Sequence, residues 1–483
     1  MATLREDLRG RTAIYTDAEE ITAENILDVL EAALETHDTN SSEIDYLYGY
    51  YKGDQAIASR TKDFNSDINN KVCVNRCYEI TNFKVGYLLS APIQYVDAAA
   101  NDYAEDVNND DLDKLNRWCV MRDKDQIDCD VAMWQSIGGT AYKIALPNQE
   151  MNDLDQCPFI IHDLDPRNTF VVYSSRLGHK PMLGVTSITE DDDNVRYYCY
   201  TATEYFEIKE NNIEVRESHI LQRVPIIEYP SSAARLGDFE IVLPLQNAAN
   251  SLSSDAIDAQ DQFVQAILVL TGMDIPDNEK GTFLAKLKEQ GGLILPDEAK
   301  AQYLTLVLDQ QQNQTALDNL YDEMLTVCGM PNRNLGGAST ADTGYAVLLR
   351  NGYSQAEARA NNTVRMFKKS ERQFLDLLVY ICNNIGGTNL EARNIDITFP
   401  RRNYTNDSAN VSNLIQMLSN DWVRPEFAYE HSNLTPDPHH EYLLAKKWHE
   451  EQESREVETV MTETETPETT PNDVGGLGNV ALG

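Results

Sequence analysis

The sequence has no run approaching the ~20 apolar residues that a membrane span requires. Its first ten residues are charged rather than apolar, so neither an anchor nor a secretory leader is expected. It contains no Gly-Lys dipeptide, which excludes a Walker A phosphate loop, and no Gly-x-Ser-x-Gly elbow or His-Glu-x-x-His helix. His440-Glu441 comes nearest to the last, but position 444 is leucine. Basic residues are scarce: 40 Lys and Arg stand against 78 Asp and Glu, for a net charge of −38 over 483 residues. A protein that grips nucleic acid non-specifically presents a basic surface that displaces counterions, and this chain as a whole cannot. Paired cysteine motifs are also missing. Of the eight cysteines, at 73, 77, 119, 129, 157, 199, 328 and 382, only Cys73 and Cys77 are close, with a step that suits one helical face. A zinc knuckle needs a second pair, so reduced, mostly buried thiols in a reducing cytoplasm are expected.

What is present divides by periodicity. A first helix is expected after an N-cap at Thr22, with Ile21 and Ile26 as a staple and Val29, Leu30, Ala33 and Leu34 continuing the apolar face. A second short helix, Ser42 to Tyr51, carries Tyr46, Tyr48, Tyr50 and Tyr51, a stripe that suits a core or a subunit interface. Val74 to Leu89 reads as a helix stopped at Ala91-Pro92, followed by a strand over Ile93 to Val96. Two more helices are expected near Leu112 to Met121 and Gln126 to Ile137. From Thr140 to Tyr229 the period becomes two, giving strands at Ala141–Leu146, Phe159–His162, Thr169–Tyr173, Met182–Ile188, Val195–Thr201, Tyr205–Lys209 and Val224–Tyr229. The fold class is therefore α+β.

The stretch from Gly237 to Arg350 is the most distinctive. Leu245, Ala249, Leu252, Ala256, Ala259, Phe263, Ala266 and Leu270 alternate steps of four and three, an apolar seam of period 3.5. The other side holds Ser251, Ser254, Asp255, Asp258, Asp261, Gln262 and Gln265. A helix from Leu243 to Leu270 would be roughly 40 Å long. A small module follows, with a helix over Gly281–Lys288 and a strand over Leu293–Leu295. A second helix would bury Leu317, Leu320, Tyr321, Met324 and Cys328 and stop at Gly329-Met330-Pro331. Beyond the polar, glycine-rich loop lie a long helix from about Tyr345 to Asn384, a strand at Ile395–Phe399, a helix at Val411–Leu418 and a last helix at Glu441–Arg455. After Arg455 the composition is that of a disordered tail.

The run His219 to Gly272, with FKVGYLLSAPIQYV (Phe83 to Val96), LDPRNTFVVYSSRLGHKPMLGV (Leu164 to Val185) and YLTLVLDQQQNQTALDNLYDEMLTVCGMPN (Tyr303 to Asn332), resembles the portal proteins, or head-to-tail connectors, of siphophage-type tailed bacteriophages. The similarity spans roughly residues 40 to 400 in order. It implies a portal fold: N-terminal helices and an α/β wing over 1–242, paired long stem helices at 243–270 and 306–329, and a small α/β clip at 271–305. A tunnel loop at 330–344, a long helix returning to the wing at 345–402, a mostly helical crown at 403–455 and an acidic tail at 456–483 complete it. The family pattern Gly-Asn-Ala-Ser-Gly after the second stem helix is replaced here by the longer Gly336 to Gly344 run.

The resemblance further implies a homo-oligomeric ring of about twelve subunits at one capsid vertex, passing double-stranded DNA inward and outward. Its partners would be terminase, a head-completion or adaptor protein, and the major capsid and scaffold proteins, with no membrane, no cofactor and no metal. Such a protein is not an enzyme. Assembly would take place in the host cytoplasm before incorporation into the virion. An acidic channel wall that repels phosphates weakly is compatible with sliding DNA.

On that template Asp255, Asp258, Gln262 and Gln265 face the channel. Glu279, Lys280, Lys286, Lys288 and Glu289 of the clip meet partners. Asn334, Ser339, Thr340, Asp342 and Thr343 skim DNA, while Arg333 and Arg350 make transient phosphate contacts or, equally, intersubunit salt bridges. The alternative is a metal-dependent nuclease or other capsid-associated DNA-processing factor, with Asp191-Asp192-Asp193 or Asp110-Asp111 holding Mg²⁺. Those aspartates also suit turns and helix starts, and His439, His440 and His449 suit a solvated surface.

Overall fold

The computed structural model describes residues 10–63, 66–98, 109–152, 156–190, 194–264, 267–271, 300–304, 310–332, 353–400, 407–432, 434–435 and 438–464. Strand β1 (Ile14–Thr16) precedes helix α1 (Ile26–Lys52). The sequence led us to expect two helices here, and the structure joins them. Ile26, Leu30, Ala33, His37, Asn40, Ile44, Leu47 and Tyr50 form one buried stripe. The polar stretch in the middle conceals this, because His37 and Asn40 bury polar groups that find partners. Asn40 exchanges two hydrogen bonds with the backbone of Thr12, and His37 Nε2 lies 3.0 Å from the Arg167 carbonyl. The N-cap is Asn25 rather than Thr22, and the Asn25 side chain accepts from the Thr22 amide. Ile21 and Ile26 are both buried in one cluster, as the staple requires.

Next come α2 (Arg76–Leu88), β2 (Gln94–Asp97), α3 (Asn109–Met121) and α4 (Lys124–Gly138). Cys73 lies before α2, so it does not share a helical face with Cys77; six of the eight thiols are buried. Gly139 ends α4 at φ +78°, and a Cβ there would stand 2.0 Å from the Arg235 carbonyl oxygen. Eight strands follow: β3 (Tyr142–Pro147), β4 (Phe159–Leu164), β5 (Thr169–Ser174), β6 (Pro181–Thr189), β7 (Val195–Tyr200), β8 (Glu204–Lys209), β9 (Asn212–Ser218) and β10 (Ile226–Glu228). The sequence reading missed β1 and β9. The former is three residues long, and the latter is mostly exposed, with only Ile213 and Val215 as apolar residues to mark its inner face.

The strands form a six-stranded sheet in the order β1-β5-β6-β7-β8-β9 and a three-stranded sheet β10-β3-β4. All pairings are antiparallel except that of β1 with β5. The β8–β9 turn uses left-handed Glu210 and Asn211, at φ +48° and +62°, the backbone of a two-residue hairpin.

Helix α5 (Leu243–Val264) is shorter than expected. The apolar Ile267–Leu270 run, assigned to the helix from its spacing, belongs instead to strand β11 (Ile267–Thr271), paired antiparallel with β12 (Lys300–Leu304). A run of β-branched and leucine residues fits either period, and the ladder with 300–304 decides it. Then come α6 (Gln310–Cys328), α7 (Tyr353–Ile385), β13 (Ile395–Thr398), α8 (Asp407–Leu418), α9 (Pro425–Ser432) and α10 (Pro438–Thr464). Helix α9 was not anticipated. Helix α10 continues nine residues past Arg455, where disorder was expected, because its Glu- and Thr-containing run continues without proline or glycine. β13 pairs with β2 across almost three hundred residues of sequence.

Four apolar clusters result among the described residues, the smallest joining Tyr142, Ile144, Val171, Val224 and Ile226 between the two sheets. α1 covers the six-stranded sheet; α4 and α7 enclose β3, β4 and β13; and the ends of α5 and α6 pack on α1 and α2. The fold is thus mixed α+β.

Candidate channel and docking elements

α5 and α6 are antiparallel, joined through the β11–β12 ladder. Their apolar sides meet through Leu243, Leu245 and Ala249 on α5 and Leu317, Leu320, Tyr321, Met324, Leu325 and Cys328 on α6. Farther along α5, Leu252, Ala256 and Ala259 are half-buried. Gly329 ends α6 with φ +65°, and the Met330 amide returns to the Leu325 carbonyl at 2.8 Å, as a Schellman cap does. The Arg359 guanidinium of α7 donates to the Val327 carbonyl at 2.8 Å, so the first turns of α7 dock on the end of α6. Residues 333–352, between these two fixed ends, lie outside the described residues, as do 272–299 beyond the ladder. Arg333, Asn334, Ser339, Thr340, Asp342, Thr343 and Arg350 fall in the first segment, and Glu279, Lys280, Lys286, Lys288 and Glu289 in the second. The expected clip helix and strand fall there too, as does Asp191-Asp192-Asp193 at 191–193.

The polar side of α5 is not the open wall that its composition suggested. An extended strap, residues 69–74, lies along it. Gln246 Nε2 donates to the Val74 carbonyl at 2.7 Å, and the Val74 amide donates to Asn250 at 2.9 Å. The Val72 amide donates to Ser254 at 3.0 Å, and the Asn70 amide to Asp258 at 2.7 Å. Four helical residues rise about 6 Å and two extended residues about 6.6 Å. Side chains every fourth position on the helix can therefore meet every second amide of the strap.

Asp258 is the end of this zipper and is buried. Lys62 and Arg60 both pair with it, and Asn70 bonds it twice. Burial pushes its carboxyl up, but the Lys62 ammonium and the Asn70 donors outweigh that and hold it at about 2. Asp258 therefore does not face a channel from this chain. Asp255 bonds Arg60 yet leaves 59% of its side chain exposed, and Gln262 is exposed; Gln265 lies outside the described residues.

A second ionic group lies in the α4–β3–α7 core. Lys124 Nζ sits 2.6 Å from Glu371 Oε1 and 2.5 Å from Asp128. Lys143 pairs with Asp128 and lies 3.0 Å from Glu371 Oε2. Tyr95 and Tyr229 donate their hydroxyls to Glu371 at 2.7 and 2.6 Å. Lys143 also stands over the Phe374 ring at 4.4 Å. Burial alone would raise the Glu371 carboxyl, but the two ammonium groups hold it well below the usual carboxylate range. Two cations and two anions cancel, which is the condition for burying them.

The sequence reading overlooked this group, although Lys143 interrupts an apolar strand and Glu371 falls on the Phe367–Phe374 face of α7. Of the anticipated alternatives, Asp111, His439 and His449 have local partners. Asp111 starts α3, pairs with Lys114 at 2.8 Å and accepts the Asn389 amide at 3.1 Å. His439 meets Glu426 at 3.2 Å, and His449 contacts the Trp448 ring edge-on. His440 lines a groove with Tyr95, Asn116 and Lys124. The tyrosine stripe of α1 is core: Tyr50 is fully buried and Tyr48 packs on Trp134.

A family model described as "Phage portal protein, SPP1 Gp6-like" matches residues 30–458. The portal protein of Bacillus phage SPP1 is 25% identical over 224 residues, which cover 45% of this chain and 43% of that protein. The aligned region thus spans less than half the length of that relative.

Proposed function

Since this chain belongs to the SPP1 Gp6-like family of phage portal proteins, we propose that it assembles into a ring of about twelve copies at one capsid vertex. The ring is the conduit for DNA during packaging and ejection and docks terminase, head-completion or adaptor proteins, and the capsid and scaffold proteins. The observation that carries this reading is the family match over residues 30–458, which includes both stem helices and everything between them.

The geometry supports it. α5 and α6 form a rigid antiparallel stem whose two ends hold the 272–299 and 333–352 segments, the clip and the tunnel loop on this reading. Half-buried Leu252, Ala256 and Ala259 leave a small-residue seam for a neighbouring copy. Helices α8–α10 form the crown; among their described residues only Ala428 and Ser432 are buried, as suits an element completed by neighbours. The protein acts as architecture rather than as an enzyme, and the ATPase belongs to a partner. No helix among the described residues is long and apolar enough to cross a membrane.

Native mass spectrometry with negative-stain imaging tests the reading. Discrete rings with an axial hole wide enough for duplex DNA are expected. A monomer that persists with scaffold protein present would overturn it.

A further inference from the structure

Two charged helix faces are used neither by the stem nor by the buried ionic group. On α7, Arg365, Lys369 and Arg372 step by four and three residues, share one face and are exposed. Arg372 reaches Asp396 at 3.1 Å, alongside Lys368 at 2.8 Å. Arg365 and Lys369 have no hydrogen bond or ion pair among the described residues. In a chain with 78 acidic and 40 basic residues, two neighbouring cations without a carboxylate among the described residues mark a face open to another partner. On α1, Asp28, Glu31, Glu35 and Asp38 step by three, four and three, opposite the stripe that packs on the sheet, and all four are exposed. None of them pairs with a cation among the described residues.

We infer that the basic face of α7 on one copy seats the acidic face of α1 on the next copy of this chain. This inference rests on the ring reading and names one of its contacts. The two faces are complementary in sign and comparable in length, about 10 Å from Arg365 to Arg372 and about 15 Å from Asp28 to Asp38. They belong to different cores, α1 starting on the six-stranded sheet and α7 running through the β3–β4 core, and no ion pair joins them within the chain. A contact between unlike faces is heterologous, so each copy offers one of each, and repetition of the contact gives a ring where its rotation closes. Duplex DNA would also satisfy the basic face, but it would leave the acidic stripe unmatched and would approach a strongly acidic molecule. Exposed pairs are individually weak, so this contact sets orientation and register, while opposing like charges would be strongly disfavoured.

The test compares the full-length wild type, Arg365→Glu with Lys369→Glu, Glu31→Lys with Glu35→Lys, and all four together. Ring yield is read by native mass spectrometry and imaging at low and high salt, and retention of a duplex DNA fragment by gel shift. Each reversed pair is expected to lower ring yield about tenfold or more at low salt, and the four-fold variant to recover it to within about twofold. DNA retention should not change. All four positions are exposed, so thermal melting should match wild type; if a reversal melts early, Arg365→Ala with Lys369→Ala replaces it.

Undiminished rings in the α7 reversal would overturn the inference while leaving the ring reading intact. Loss of DNA retention with rings preserved would assign the basic face to DNA and overturn it equally. Absence of rings in the wild type would remove the ring reading, and this contact with it.

Discussion

Two regions of this molecule use the same chemistry, paired lysine or arginine against aspartate or glutamate, under opposite conditions. In the α4–β3–α7 core, Lys124, Lys143, Asp128 and Glu371 are sealed, and every charge has two partners within the group. Along α5, Arg60, Lys62, Asp255 and Asp258 hold the strap at its wet end, where only Asp258 is sealed. Sealed charges cannot turn to water, so removing one strands the rest; at the strap, solvent replaces a lost partner. The core group therefore fixes the position of α7, whose first turns carry one end of the 333–352 segment. The strap instead fixes which side of α5 is available to neighbours.

The largest expected effect is in the sealed group. Glu371→Ala should lower the unfolding free energy by about 3–5 kcal/mol, read by urea denaturation, because two buried ammonium groups lose their shared anion. A loss no greater than at the strap would break the contrast. On the other side of α5 from the strap, Ala256→Glu should leave the single chain folded but cut ring yield by about a hundredfold in native mass spectrometry, since assembly would bury a carboxylate. Normal rings from that variant would show that the seam does not meet a neighbour.

Asp258→Ala should cost about 1–2 kcal/mol and speed amide exchange at Asn70 and Val72 more than in the sheet. The smallest effect is with pH. Burial lowers the pKa of His37 from 6.5, so the unfolded chain takes up the proton first. That contribution is complete above pH 6.5 and declines as pH falls below it. The Asp258 contribution is retained until pH falls from its ordinary 3.8 toward about 2. Unfolding curves at pH 7.5, 5.5 and 3 separate the two windows.

Much of the fold was legible because periodicity and burial coincide. Nine of the strands and the helices α2 to α4 follow their apolar spacing to within a few residues. Where burial is polar, spacing fails: the middle of α1 looked like a break because His37 and Asn40 replace apolar residues on its inner face. The stem was legible as a pair of helices, yet the role of its polar side was not. A row of Gln246, Asn250, Ser254 and Asp258 looks solvated in one dimension, and only the strap beside it supplies amides at matching intervals. Asp258 was expected on a channel wall for the same reason. Lys143 and Glu371 did leave a trace, each being a charge on an otherwise apolar face, but neither discloses its partner.

By itself the sequence determined the α+β class, the order of helices and meander, the paired stem and the family, since these depend on local period and on the kinds of residue present. Only the tertiary structure decided that Ile267–Thr271 is a strand, that Asp258 is covered, and that Lys124 and Lys143 share Glu371. Each of those depends on a partner distant in sequence: the 300–304 ladder, the strap around residue 70, and a helix more than two hundred residues from the lysines it neutralises. A side chain's chemistry is written locally, but whether its charge meets water, an amide or an opposite charge is set by what the fold brings beside it.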